Sequence, residues 1–149
     1  DVYKRQELGR INIAARGAGM AQGATKMALH YAMERKTFGK TIAEHQAIQL
    51  KLAEMSTRAA AAELLVHQAA DKYDRHERCD LEAGQAKFFA SEAAVQNSLD
   101  AMRVFGGYSY SPEYEIERFY RDAPLLCIGE GTNEIQRMII AKQMVARAS

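Results

Sequence analysis

The sequence predicts an all-α fold, an antiparallel up-and-down bundle of four long helices with one additional short helix. Two prolines in 149 residues leave long stretches free to coil. Those stretches are rich in Ala, Leu, Glu, Lys, Gln and Met, which are strong helix formers. No run shows the two-residue alternation of apolar and polar side chains that marks a strand.

The first helix is expected over about residues 7–34 and is dense in small residues: Gly9, Ala14, Ala15, Gly17, Ala18, Gly19 and Gly23. Interior glycine costs about 1 kcal/mol relative to alanine, so this density implies a neighbour packed closely against the helix. Thr37-Phe38-Gly39-Lys40 breaks the chain. A second helix then carries Ile48, Leu52, Met55, Ala59, Ala62, Leu65 and Ala69 at helical spacing and ends in a polar turn at 74–78. Asp80 is expected to cap a third helix with a stripe of Leu81, Phe88, Val95, Leu99 and Met102, stopped by Gly106-Gly107. Ser111-Pro112 reads as the entry to a short helix reaching roughly Asp122 and closed by Pro124. The last helix is expected over about residues 133–146. No internal repeat or low-complexity linker interrupts the pattern.

Composition narrows the functional classes. The chain is one domain's worth, 48% apolar and 26% charged, as for an ordinary globular protein. A net charge of +1 argues against nucleic acid or an anionic membrane as partner, and no run approaches a membrane span. Cys79 and Cys127 lack metal-type or redox spacing and read as reduced intracellular thiols. They leave a bacterial cytoplasm and a mitochondrial matrix undistinguished. His30, His45, His67 and His76 do not cluster, so no metal is assigned.

The stretch richest in chemistry is Ile128-Gly129-Glu130-Gly131-Thr132-Asn133-Glu134-Ile135-Gln136-Arg137. A carboxylate stands between two glycines, where a ligand can approach the main chain. Thr132 or Asn133 can cap the helix that follows, leaving free N–H groups and a positive dipole end beside that carboxylate. A general base beside an anion site needs this arrangement; so does an ordinary exposed glutamate in a helix-entry loop.

Its company decides the reading. Glu34-Arg35-Lys36-Thr37-Phe38-Gly39-Lys40, His45-Gln46-Ala47-Ile48-Gln49 and Leu52-Ala53-Glu54-Met55 resemble the FAD-contacting segment of acyl-CoA dehydrogenases. Arg103-Val104-Phe105-Gly106-Gly107-Tyr108 and Glu117-Arg118-Phe119-Tyr120-Arg121-Asp122-Ala123 match the same family in order and spacing, and Glu130 falls where that family carries its catalytic base. The resemblance spans residues 7 to 142 and implies the C-terminal helical domain, without the N-terminal helical and middle β-domains. On this reading residues 1–6 are a non-native appendage and residues 7–149 the domain.

The resemblance also implies roles. Glu130 would abstract the α-proton of an acyl-CoA, its main-chain N–H would stabilise the thioester oxyanion, and FAD would take the β-hydride, giving a trans-2-enoyl-CoA. A closed substrate pocket would desolvate that carboxylate and raise its pKa. Arg35, Phe38, Gln46, Gly106 and Gly107 would meet FAD across a subunit boundary in a homo-oligomer, by family habit a tetramer. Thr132, Asn133 and Glu134 would meet the FAD of their own subunit. Arg10, Glu7 and Gly131 are expected on the substrate side, and an electron-transferring flavoprotein would take the electrons. Two departures stand out: Arg103 replaces the usual glutamine among the cofactor contacts, and Gly129 a frequent tyrosine. The competing reading is a non-catalytic helical-bundle oligomerisation module of the same descent. The domain alone is expected to be inactive.

Overall fold

A computed structural model describes residues 2–148, with side chains from residue 5 onward. Five α-helices carry the fold: α1 (Val2–Glu34), α2 (Gln46–Asp74), α3 (Asp80–Phe105), α4 (Ile116–Ile128) and α5 (Asn133–Ala148). Between α1 and α2 lies a two-stranded antiparallel ribbon, β1 (Lys36–Thr37) with β2 (Lys40–Thr41), Thr37 opposite Lys40. The all-α expectation holds. The ribbon was not foreseen, because two-residue strands are too short for any alternation to show. Its turn places Phe38 and Gly39 at φ 51° and 81°, the positive pair that suits the twist of a tight hairpin.

Pairwise contacts give the directions. Glu7 meets Cys79, Gly17 meets Ala90 and Tyr31 stacks on Phe105, so α1 and α3 run parallel. Met55 and Lys72 of α2 meet Asn97 and Glu82 of α3 in reverse order. In α4, Phe119 packs on Gly23 and Cys127 lies over Lys87, and α5 continues the same downward course from Asn133 at Ser91 to Arg147 at Glu82. The four helices α1 to α4 therefore alternate up and down, and α3 touches all the others.

That central position explains the buried face of α3. Ala83, Gly84, Ala86, Ala90, Ala93, Ala94 and Ala101 are buried, whereas the expected stripe of Leu81, Phe88, Val95, Leu99 and Met102 is only half-buried. A helix surrounded by close neighbours meets them through small residues, and its larger side chains fill the crevices between. The closest approach is at Gly17, where an added Cβ would lie 2.7 Å from the Ala90 carbonyl oxygen. Ala14, Gly17 and Ala18 thus answer to helix packing, whereas Ala15 and Gly19 are exposed.

Other boundaries shift for physical reasons. α1 begins at Val2, ahead of the expected residue 7. Asp80 does not cap α3: Cys79 holds that position without a side-chain cap, and its N–H donates to Glu7 Oε1 of α1 at 3.2 Å. Ser111-Pro112 lies in a turn, and α4 starts at Ile116 and passes through Pro124. A proline there lacks one helical N–H, but the Tyr120 residue it would have bonded is exposed to water, while Ala123 and Leu126 are buried.

Polar anchors cross the bundle. Asn97, fully buried on α3, donates to the Met55 carbonyl at 2.8 Å and the Ala21 carbonyl at 3.2 Å. Glu82 accepts two bonds from Arg147 at 2.7 and 3.0 Å and one from Lys72 at 2.7 Å, joining α2, α3 and α5. These cations, Arg147 foremost, hold its carboxyl down at about 2, from an ordinary value of 4.5. A depressed carboxyl contributes stability above its unfolded value and loses it as pH falls through the folded one. Urea unfolding should therefore show an acid loss between about pH 4.5 and 2, on the order of 2 kcal/mol after allowing for the part-exposed arginine. Glu82→Gln should flatten that limb; an unchanged limb would contradict the assignment.

Candidate active site

The α4–α5 junction is built from four residues, Gly129 to Thr132. Gly129 N–H closes α4 on the Leu125 carbonyl at 2.9 Å, Glu130 and Gly131 then take φ of 55° and 88°, and Thr132 caps α5 by accepting the Ile135 N–H at 3.5 Å. Left-handed backbone at glutamate is uncommon and persists where surrounding structure imposes it.

Two buried side chains impose it. Gln136, fully buried on α5, donates through Nε2 to the carbonyls of Glu130 and Gly131, each at 3.2 Å. Lys87, fully buried on α3, donates to the Cys127 carbonyl at 3.0 Å and to Asn133 Oδ1 at 2.8 Å. Burial pushes the Lys87 amine below its ordinary 10.5. It joins the last turn of α4 to the first residue of α5, so both ends of the junction are tied to α3. Sequence reasoning missed both residues. A lone lysine in a run of alanines was the available signal for Lys87, and nothing local marks Gln136.

The Glu130 carboxylate lies against α1. A Cβ on Gly9 would sit 2.7 Å from its Oε2, so the absence of a side chain there makes room for it. Glu130, Gly131, Arg10, Gln6 and Ile135 line a cleft of about 400 Å³. The Glu130 main-chain N–H has no hydrogen-bond partner among the described residues. One cleft therefore holds a solvent-accessible carboxylate and, on the same residue, a free donor.

The neighbouring candidates divide. Arg10 is buried beside the cleft, 3.7 Å from Asp80, with Nη1 lacking any hydrogen bond. Glu7 is buried and spent on the α3 entry. The Asn133 side chain is 2% exposed and fully engaged by Lys87, Ser91 and Glu92, which leaves only its main chain to offer a ligand. Hydrogen bonds from its own N–H and from Thr132 hold the exposed Glu134 carboxyl below its usual range. Burial pushes both thiols up, Cys79 to about 11, which leaves them unreactive.

A second cluster sits at the other end of α1. Arg10 and Arg35 are 25 residues apart on that rod, roughly 37 Å at the helical rise. Arg35, Tyr31, Thr37, Phe105, Gly106 and Gly107 line a cleft of about 580 Å³. The Arg35 guanidinium lies 5.6 Å over the Tyr108 ring, interacts electrostatically with Tyr31, and has no hydrogen-bond or ion-pair partner among the described residues. Gly106, at φ 62°, and Gly107 face open space where a side chain would stand. A free guanidinium beside bare backbone suits a phosphate-bearing ligand. Phe38 projects from the hairpin tip at 97% exposure, and Gln46 is exposed at the first residue of α2. Arg103 is exposed and pairs with Asp100 at 3.1 Å, outside the residues lining this cleft.

The family model for the acyl-CoA dehydrogenase C-terminal domain matches residues 2–145. An acyl-CoA dehydrogenase of Bacillus subtilis is 51% identical over 138 residues, 93% of this chain and 36% of that protein. The CarC subunit of the caffeyl-CoA reductase–Etf complex of Acetobacterium woodii is 42% identical over 147 residues, 99% of this chain and 39% of that protein. Butyryl-CoA dehydrogenase of Megasphaera elsdenii superposes with a TM-score of 0.92 at 38% identity, over 94% of this chain and 37% of that one. The chain thus spans less than two-fifths of the relatives it matches.

The contact at Gly9 generates a prediction. Glu130 Oε2 is the far end of a flexible side chain, so Gly9→Ala should displace the carboxylate without parting the helices. Alanine also gains up to about 1 kcal/mol of helix propensity. The thermal midpoint should hold or rise while a crystal structure of the variant shows the carboxylate moved off α1. A lower midpoint with the carboxylate unmoved would contradict this account.

Proposed function

The chain belongs to the acyl-CoA dehydrogenase family, and on that premise we propose that, within a longer polypeptide, it supplies the base that oxidises an acyl-CoA to a trans-2-enoyl-CoA. The observation carrying this reading is the single cleft in which the Glu130 carboxylate and its own unpartnered N–H stand together. The carboxylate takes the α-proton. The N–H donates to the thioester oxygen, where negative charge builds as that proton leaves. The β-hydrogen departs with its electron pair, and FAD, when bound, supplies the acceptor for that hydride. Glu130 is exposed in this chain, so substrate and the remaining domains must exclude water from it.

The residues present fit such a cofactor. Arg35, with Gly106 and Gly107, would hold its phosphates, with Phe38 and Gln46 at the rim. Thr132 and Glu134, with the main chain of Asn133, would meet a flavin beside Glu130. Because the clusters lie roughly 37 Å apart along α1, one flavin serving both is implausible, which supports two copies of this domain sharing cofactors in a homo-oligomer. Arg10 and Gly131 would face the substrate. The Acetobacterium relative, named as part of an Etf complex, supports an electron-transferring flavoprotein as redox partner. Its name as a reductase supports the same residues working in reverse, with Glu130 returning a proton to the α-carbon. The isolated domain leaves Leu125, Ile128 and Met138 exposed around the junction and is proposed to be inactive and prone to self-association.

Glu130→Gln in the full-length enzyme should lower turnover by at least about 10³-fold, and α-hydrogen exchange with solvent likewise, with flavin still bound. Turnover near the parent's would place the base elsewhere and favour the scaffold reading.

A further inference from the structure

We propose that Gln136 is a positioning residue for this reaction, holding Glu130 in the backbone conformation that aims its carboxylate and N–H together; the proposal rests on Glu130 being the base. The two residues at positive φ, Glu130 and Gly131, are those whose carbonyls accept from Gln136 Nε2. No other group among the described residues donates to either carbonyl. With both peptide planes held, the direction in which Glu130 projects its side chain is set from a fully buried point on a rigid helix.

The group is specific. An uncharged amide of this length offers two hydrogens to two carbonyls without burying a second charge: a carboxylate would repel them, and a hydrocarbon offers nothing. The fit is also tight, since a Cβ on Gly131 would come within 3.0 Å of Nε2.

Gln136 is poorly explained as a stabilising residue. Its Oε1 is buried without a hydrogen-bond partner, facing Gly84 and Ile140 of the α3–α5 contact. A buried acceptor left unmade works against stability. Methionine, of similar shape, would relieve that burden, and the two freed carbonyls border the cleft, where water can reach them. A structural role predicts that stability and activity fall together; a positioning role predicts that they part.

The test uses the full-length enzyme with Gln136→Met, read as thermal midpoint, bound flavin, and kcat and KM per flavin. The expected result is a midpoint equal to or above the parent's, full flavin, KM within about threefold, and kcat lowered 100-fold or more. A kcat within threefold of the parent, or a loss matched by lost flavin, would overturn the proposal. Should Gln136→Met fail to fold, Gln136→Asn decides: the same amide one methylene short cannot reach both carbonyls and should give the same fall in kcat, and unchanged kcat would overturn the proposal. Glu130→Gln in the same assay separates the failures. If it retains turnover, the base reading falls and takes the proposal with it. If it is inactive while Gln136→Met is unaffected, only the proposal falls.

Discussion

The contact between Gly17 and the Ala90 carbonyl sets the separation of α1 and α3, and the rest of the molecule is arranged around it. No side chain fits there, so the two helices meet nearly backbone to backbone over a seam of alanines. An adjoining face of α1 is then close enough to take the Phe119 ring at Gly23 and the Glu130 carboxylate at Gly9. One helix thus receives α3, α4 and the junction loop at three glycines. The proposed base is placed by the packing of a long helix far more than by the loop that bears it.

The loop is secured from the opposite side. Lys87 places a buried amine where two helix ends meet, binding the last turn of α4 and the first side chain of α5. Burying that amine is costly, as its depressed pKa records, and its two oxygen partners offset part of the cost. Above it, Gln136 holds the two left-handed residues. α1 supplies room for the carboxylate, α3 ties down the junction and α5 sets its backbone. The candidate site sits on rigid elements, with the loop reduced to four residues.

Much of this was legible in the sequence because helix formers, glycine stops and spacing are local signals. The glycine-flanked Glu130 and the Arg35 and Gly106-Gly107 clusters announced themselves by motif. What was illegible depends on distant partners. Asp80 looked like a cap, yet its carboxylate is taken by Arg78 at 2.7 Å, and the cap position falls to Cys79, whose N–H donates to Glu7, 72 residues away. Pro124 looked like a stop, yet burial of Ala123 and Leu126 carries α4 through it. The large stripe on α3 looked like the core face, although a helix with four neighbours turns its small residues inward. Asn133 read as a ligand contact in the motif, and its side chain is committed to the interior. Lys87 and Gln136 acquire meaning only when α3, α4 and α5 converge.

A carboxylate and a main-chain donor on one residue, Glu130, are proposed to act together on an acyl thioester in a flavin-bearing parent enzyme. The most direct test is an anaerobic titration of the full-length enzyme's visible flavin absorbance with a panel of acyl-CoA thioesters. Bleaching by at least one saturated thioester, lost in Glu130→Gln while flavin remains bound, is the predicted result. Bound flavin that no thioester reduces, or bleaching that survives Glu130→Gln, would contradict it.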